Sequence, residues 1–134
     1  MKTAVDSSIL IDVAGGDPRF GAKSRAALNA AYDAGALVAC EVVWAEVRAL
    51  YRSDVELTSA LAGVGIRFEP LSMEAALLAG KLWREAGKAR TRGKGVVADF
   101  LIGAHAMLHS DALLSRDRGF FRGHFMGLKL IDPS

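Results

Sequence analysis

The chain has 134 residues, of which 51% are hydrophobic and 24% are charged, and its formal net charge is +2. This length fits one domain that buries about two-thirds of its unfolded surface, and the composition excludes an intrinsically disordered chain. No stretch approaches the roughly 18 apolar residues of a membrane span, and Asp6 and Asp12 interrupt any signal-peptide core, so we expect a cytoplasmic protein without a membrane anchor.

Strand-like and helix-like segments alternate along the chain. In chain order we predict a strand at 2–5, helices at 7–13 and 18–33, a strand at 36–40, helices at 41–52 and 54–62, a strand at 66–69, a helix at 72–89, a basic loop at 90–95, a helix at 96–109, a strand at 112–115, a helical turn at 117–121 and a strand at 128–131. Strands separated by helices imply right-handed crossovers and a parallel sheet covered on both faces. We therefore predict a single α/β domain over residues 1–134.

Polar residues in front of the helices predict where several of them begin. Ser7 or Ser8 is available as the N-cap of the first helix, and Ser72 opens the helix at 72–89. Asp17 followed by Pro18 predicts that the second helix begins with a cap and then proline at its first helical position.

Four acidic residues lie in apolar sequence, where an unpaired carboxylate is costly to bury. Asp6 follows the first strand, Asp117 follows the apolar run 112–114, and Glu46 and Asp99 lie inside helical runs. In open parallel sheets the ligand crevice lies outside the carboxyl ends of the strands, where Asp6 and Asp117 are predicted to lie. For these two residues, capping of the following helix is an open alternative.

For the two acids inside helices, Glu46 and Asp99, a purely structural role is harder to find. The neighbours of Glu46 on its helix face are all apolar: Val42, Val43, Ala49 and Leu50. None of them can form a helical ion pair, so the alternative is a distant Arg or Lys. Asp99 lies in the first turn of a helix that is apolar on nearly every side, and the helix dipole, worth about 1 kcal/mol, does not offset burial of its charge. A bound divalent cation would offset the cost of burying that charge.

The donor set favours a hard cation. Carboxylates within a few ångströms raise one another's pKa values, and a divalent ion reverses this by holding them ionised. Mg²⁺ prefers oxygen ligands and can activate water for attack on phosphorus. Zinc is disfavoured because His105, His109 and His124 have no cysteine companions. His105 and His109, spaced by four, are interpreted as partly exposed helix histidines.

Four segments, in order, resemble the motifs of PIN-domain ribonucleases, in particular the VapC-type toxins of bacterial toxin–antitoxin pairs. The segments are Val5-Asp6-Ser7-Ser8-Ile9-Leu10-Ile11-Asp12, Val42-Val43-Trp44-Ala45-Glu46-Val47, Ala98-Asp99-Phe100-Leu101-Ile102-Gly103-Ala104-His105-Ala106 and Leu114-Ser115-Arg116-Asp117-Arg118-Gly119-Phe120-Phe121. They span nearly the whole chain. Each motif alone is weak, whereas the ordered set is specific.

The resemblance implies a PIN-like three-layer α/β/α domain with a mostly parallel central sheet of four to five strands. It further implies Mg²⁺-dependent cleavage of RNA, with Mn²⁺ as a substitute, and a homodimer held inactive by a cognate antitoxin protein. Asp6 and Asp99 would be the principal metal ligands, Asp117 would complete the site, and Glu46 would ligate or orient the attacking water. Ser115 stands where the family often has Thr and keeps its supporting hydroxyl.

The resemblance to ribonucleases suggests a role in RNA binding for the basic residues. The net charge alone does not indicate a nucleic-acid partner. The residues predicted to contact RNA phosphates are Arg90, Arg92, Lys94, Arg116 and Arg118. The alternative for the loop is a solvated basic face. Glu41 is a spare acid near the second motif, and its position at a helix start favours an N-terminal charge role.

Three other classes of protein fit the sequence less well. A receiver domain needs its acceptor Asp after a middle strand, where this chain has Glu69-Pro70, and an aspartate-nucleophile phosphatase needs a second Asp where this chain has Ser8. A catalytically silent PIN-like module that binds RNA or protein predicts at least one missing acid. All four acids are present, which favours an enzyme.

Overall fold

The structure is a computed structural model that describes residues 1–87 and 96–134. The predictions for Arg90, Arg92, Lys94 and the end of the helix 72–89 lie outside the described residues. The strands are β1 (Lys2–Val5), β2 (Ala36–Ala39), β3 (Ile66–Phe68), β4 (Ala112–Leu114) and β5 (Leu130–Ile131). The helices are α1 (Ser7–Ala14), α2 (Gly21–Ala34), α3 (Glu41–Arg48), α4 (Asp54–Gly63), α5 (Met73–Ala86), α6 (Val96–His109) and α7 (Arg118–His124). Within the two described ranges, no helix has the length and apolar content needed to cross a membrane.

The described strands form one sheet in which every pairing is parallel. Their order is β3-β2-β1-β4-β5, so β1 lies in the middle. Successive residues of a strand point to opposite faces, and Thr3, Ala4 and Val5 are each no more than 2% exposed. Both faces of the sheet are therefore covered, as in other parallel sheets. The predicted α/β fold with a central sheet of four to five parallel strands is confirmed.

The strand order reverses beside β1. The chain first builds β2 and β3 on one side of β1, and then crosses over to build β4 and β5 on the other side. Val5 pairs with Leu114, and the Asp6 N–H donates to the Leu114 carbonyl at 2.9 Å. Open α/β sheets bind ligands at such a reversal, outside the carboxyl ends of the strands. The fold thus places the ends of β1 and β4 at its binding crevice.

The predicted helix starts are confirmed in part. The Ser72 hydroxyl accepts a hydrogen bond from the Ala75 N–H at 3.1 Å, as expected of an N-cap. By contrast, α2 begins at Gly21 and not at Pro18, because Asp17 Oδ1 accepts from the backbone of Arg19 and Phe20 at 2.8 Å and closes a separate turn first.

The N-terminus of α1 and the C-terminus of α3 also differ from prediction. Asp6, and neither serine, occupies the N-cap position of α1. The helix α3 ends at Arg48, four residues early. The Arg48 side chain then donates to the Tyr51 carbonyl at 2.8 Å and to Asp54 at 2.7 Å. These bonds satisfy groups of the α3–α4 connection that a longer helix would have used itself.

The helix α6 is buried because small residues let it approach its neighbours closely. Phe100, Ile102, Ala104 and Ala106 are at most 2% exposed. Phe100 also stacks edge to face on Phe120, with ring centroids 5.0 Å apart. A β-carbon at Gly103 would stand only 2.3 Å from the ring of Phe125. Glycine is therefore required at this contact for steric reasons.

We expect Gly103→Ala to lower the free energy of unfolding by about 1–3 kcal/mol, since the added methyl group has to displace the buried Phe125 ring. Urea denaturation followed by circular dichroism measures this. The matched control is Gly80→Ala in the exposed part of α5, where nothing lies within 4 Å of the added β-carbon. That substitution should stabilise the protein by about 0.5–1 kcal/mol. Equal effects at the two glycines would contradict the packing argument.

Candidate metal centre

The carboxylate of Asp6 is buried and held in a fixed orientation. It follows β1 and is 4% exposed. Its Oδ2 atom accepts hydrogen bonds from the Ser115 hydroxyl at 2.7 Å and from the Ser8 hydroxyl at 2.8 Å. Although Asp6 stands at the N-cap of α1, its side chain makes no capping hydrogen bond to the described residues. The capping alternative for Asp6 is therefore wrong.

Ser115 connects Asp6 to the loop that carries Asp117. Its hydroxyl donates to Asp6 and accepts a hydrogen bond from the Asp117 N–H at 2.9 Å. Asp117 is exposed at the N-cap position of α7, and its carboxylate makes no capping bond within the described chain. Capping is thus wrong for Asp117 as well. The Ser115 hydroxyl thus links the carboxylate of Asp6 to the backbone of Asp117.

The carboxylate of Asp99 interacts electrostatically with those of all three other acids. It is partly buried in the first turn of α6. Burial, followed by the negative charges of Asp6, Asp117 and Glu46, raises the pKa of Asp99 to about 7. The structure therefore brings together the four acids that the sequence singles out.

The pKa values of Asp6 and Glu46 are also raised, with loss of hydration as the first cause in both. The charge of Asp117 adds to the increase at Asp6, and the charge of Asp6 adds to that at Glu46. A hydrogen bond from the Ser7 hydroxyl acts in the opposite direction on Glu46. Glu46 itself is exposed, so the expectation of a buried helical glutamate is wrong. It lies at the rim of the carboxylate group.

The four carboxylates have no cationic side-chain partner in the described part of the chain. In residues 1–87 and 96–134, no Lys or Arg forms an ion pair with any of the four acids. In the same residues, no group of three or more Asp, Glu, His or Cys side chains is arranged so that it could hold a metal ion by itself. Mg²⁺ usually keeps several waters and takes only one or two carboxylates directly. This part of the chain does not provide a complete coordination shell of protein ligands, such as a structural zinc site has.

Glu41, the spare acid of the second motif, has a different partner. Its Oε1 atom accepts a hydrogen bond from the Leu71 N–H at 2.8 Å, which ties the start of α3 to the loop before α5. Glu46, one turn further along, is the residue of α3 whose charge reaches Asp6 and Asp99. Glu41 thus has a structural partner, whereas Glu46 interacts with the other acids.

The guanidinium of Arg116, predicted to contact an RNA phosphate, has partners within the described chain. Its Nε and Nη2 atoms donate to the two oxygens of Asp12 at 2.5 and 2.8 Å. The guanidinium also lies over the ring of Phe20, 4.0 Å from the centroid. The predicted phosphate contact of Arg116 is therefore replaced by an internal ion pair. Arg118 is 59% exposed and only 3.4 Å from Asp132, so its contact with RNA stays a prediction.

Sequence reasoning missed two groups of residues beside the site. Asp12 is 2% exposed and pairs with Arg116, and Ser7 and Ser8 bind carboxylates instead of capping a helix. Asp12 follows Ile9, Leu10 and Ile11. The same signal that marked Glu46, an acid in an apolar helix, was available for it. The serines carry no comparable signal, because their partners depend on where the chain folds.

His105 differs from prediction, whereas His109 is partly exposed as predicted. His105 is 1% exposed and not partly exposed, and its Nε2 lies 3.1 Å from Glu69 Oε1. Burial lowers the pKa of His105, and the carboxylate of Glu69 opposes that shift. His109 Nε2 lies 2.6 Å from the Ser72 hydroxyl. Both imidazoles are thus engaged in tying α6 to the segment before α5.

Comparison with known proteins places the fold in a defined group. The profile described as PIN domain matches residues 3–125. No curated protein sequence matches the chain. Similar solved structures include VapBC2 from Rickettsia felis bound to a promoter DNA fragment (TM-score 0.73, 18% identity, 98% of each chain covered). They also include a toxin–antitoxin complex from Klebsiella pneumoniae (0.68, 20%, 98% of each) and VapBC-1 from nontypeable Haemophilus influenzae (0.68, 19%, 99% of this chain and 98% of that one). At these identities the likeness is one of fold.

Proposed function

Because this chain belongs to the PIN domain family, we propose that it is a Mg²⁺-dependent endoribonuclease acting as the toxin of a toxin–antitoxin pair. The activity is assigned to a single PIN domain over residues 1–134. One observation carries the proposal, namely that burial and three neighbouring carboxylates raise the pKa of Asp99 to about 7. Such a group favours either a proton or a cation, and perturbed acids of this kind cluster at functional sites.

The residues assigned to the metal are Asp6, Asp99 and Asp117. Their oxygens suit Mg²⁺, and Mn²⁺, which also takes carboxylate ligands, is expected to substitute. When bound, the ion would lower the pKa of a water molecule and stabilise charge on the leaving oxygen of the RNA phosphodiester. Ser115 and Ser8 hold one oxygen of Asp6, so this ligand is oriented before any ion arrives.

Glu46 is assigned to the attacking water. It is exposed at the rim, and loss of hydration and the charge of Asp6 raise its pKa. A carboxylate with a raised pKa is a better proton acceptor at neutral pH than an ordinary glutamate. The Ser7 hydroxyl partly offsets this increase by favouring the ionised form of Glu46. Glu46 would thus direct the water and accept its proton, while the three aspartates hold the ion.

The partner assignment rests on the similar structures, several of which are complexes of a toxin with its antitoxin. We propose that this chain forms a homodimer and acts in the cytoplasm, where a cognate antitoxin covers the four carboxylates or the basic residues beside them. Mapping a purified complex by crosslinking would check this. An interface that avoids both the carboxylates and Arg118 would contradict it.

The test is cleavage of a structured RNA pool by purified, antitoxin-free protein with Mg²⁺ or Mn²⁺. Cleavage is expected to stop when EDTA is added and to be lost in Asp99→Asn purified in the same way, which excludes a contaminating nuclease. Wild-type protein that binds Mn²⁺ yet leaves every RNA in the pool intact would favour a silent binding module. Wild-type protein that gives no heat and no thermal stabilisation with Mn²⁺ would reject the metal site itself.

A further inference from the structure

The ion pair between Arg116 and Asp12 joins two parts of the site that are 104 residues apart in sequence. Both guanidinium-to-carboxylate hydrogen bonds are present, and Asp12 is 2% exposed. The Asp12 Oδ2 atom also accepts a hydrogen bond from the buried Ser24 hydroxyl of α2 at 2.9 Å. A paired, bidentate arginine of this kind fixes direction as well as distance.

The two residues of the pair belong to the same segments as two of the carboxylates. Asp12 belongs to α1, the helix that begins immediately after Asp6, and Arg116 is the residue before Asp117. The backbone N–H of Arg116 donates to the Ser8 hydroxyl at 3.3 Å, so both its main chain and its side chain are tied to α1. The ring of Phe20 covers the guanidinium on one side.

The ion pair between Arg116 and Asp12 would counteract the repulsion between two carboxylates of the site. The charge of Asp117 disfavours ionisation of Asp6, so the two carboxylates repel each other, and Asp117 is exposed to solvent. We propose that Asp12 and Arg116 are positioning residues that hold Asp117 beside Asp6, so that both carboxylates reach one ion. The inference rests on the proposed function for the identity of that ion. Neither residue touches substrate or metal in this scheme.

The experiment compares Arg116→Lys with Ser24→Ala. Lysine keeps the positive charge but loses the bidentate geometry, whereas Ser24→Ala removes a different hydrogen bond from the same Asp12 carboxylate. We expect Arg116→Lys to weaken Mn²⁺ binding about tenfold, as loss of a ligand's supporting partner commonly does. It should also speed hydrogen exchange at the Asp117 amide in metal-free protein. Ser24→Ala should change neither quantity, although it lowers thermal stability.

Calorimetric Mn²⁺ titration and metal-free hydrogen exchange are read separately. If Arg116→Lys binds Mn²⁺ and protects the Asp117 amide as wild type does, the positioning role is wrong. If wild type itself fails to bind Mn²⁺, the proposed function is wrong, and the exchange data alone decide whether the pair orders the loop. Should Arg116→Lys not fold, Phe20→Leu removes only the ring beside the guanidinium, and it is expected to shift both readouts in the same direction by about threefold.

Discussion

Asp6→Asn is expected to lower the rate of RNA cleavage about 10³-fold, because a bound divalent ion supplies several kcal/mol of transition-state stabilisation. The substitution changes one oxygen to an amide nitrogen and leaves the shape of the side chain intact. Asp6 is buried, and hydrogen bonds from Ser8 and Ser115 fix the position of its carboxylate. Single-turnover cleavage of one defined RNA at saturating Mg²⁺ measures the effect.

The matched control is Asp33→Asn, which removes an exposed carboxylate from the end of α2. It should leave the cleavage rate unchanged. Asp6→Asn should also raise the melting temperature of the metal-free protein, because burial and the charge of Asp117 oppose ionisation of Asp6. A slower enzyme that is also less stable would indicate misfolding. A rate within threefold of wild type would remove Asp6 from the metal site.

The sequence predicted the positions of the acids because two of them follow strands. Parallel strands end at the same edge of a sheet, so Asp6 and Asp117 had to lie close if β1 and β4 were neighbours. Glu46 and Asp99 stood out through their apolar surroundings. Those signals come from neighbouring residues in the sequence, so they do not depend on contacts between distant segments. The order of the strands, and hence the reversal beside β1, came only from the structure.

Other features depend on contacts between distant segments. The partner of Arg116 lies 104 residues away, and sequence gave no reason to prefer Asp12 over an RNA phosphate. His105 was expected to be partly exposed, but α5 and its preceding loop cover it. The exposure of Glu46 also depends on contacts between distant segments. An apolar helix face predicts burial, but it does not predict how many turns of the helix other segments cover.

The like charges that serve the site also weaken the fold. Asp6, Glu46 and Asp99 all have raised pKa values. Each of them therefore favours folding when protonated and opposes it when ionised. Ser7, Ser8 and Ser115 reduce that cost through hydrogen bonds to the ionised forms. A bound cation would remove most of the remaining repulsion, so stability and metal binding should be tightly linked.

Metal-free protein is expected to lose stability as the pH rises from about 4 to about 7. The folded pKa of Asp99 is about 7, above its ordinary value of 3.8. Its contribution is therefore fully present below about pH 4 and is lost as the pH rises through 7. The expected loss is about 2 kcal/mol, since three pKa units correspond to about 4 kcal/mol before solvent screening of a partly exposed group. Urea denaturation in EDTA at several pH values measures it.

Two comparisons isolate the carboxylate effect. His105 has a lowered pKa and acts in the opposite direction at mildly acidic pH, so the informative quantity is the difference between wild type and Asp99→Asn. The variant should lose much less stability toward pH 8, because its amide does not ionise. Added Mn²⁺ should reverse the slope in wild type, since metal binds the deprotonated carboxylates. Identical pH profiles for the two proteins in EDTA would mean that the other carboxylates do not disfavour ionisation of Asp99, and the electrostatic basis of the metal centre would be lost.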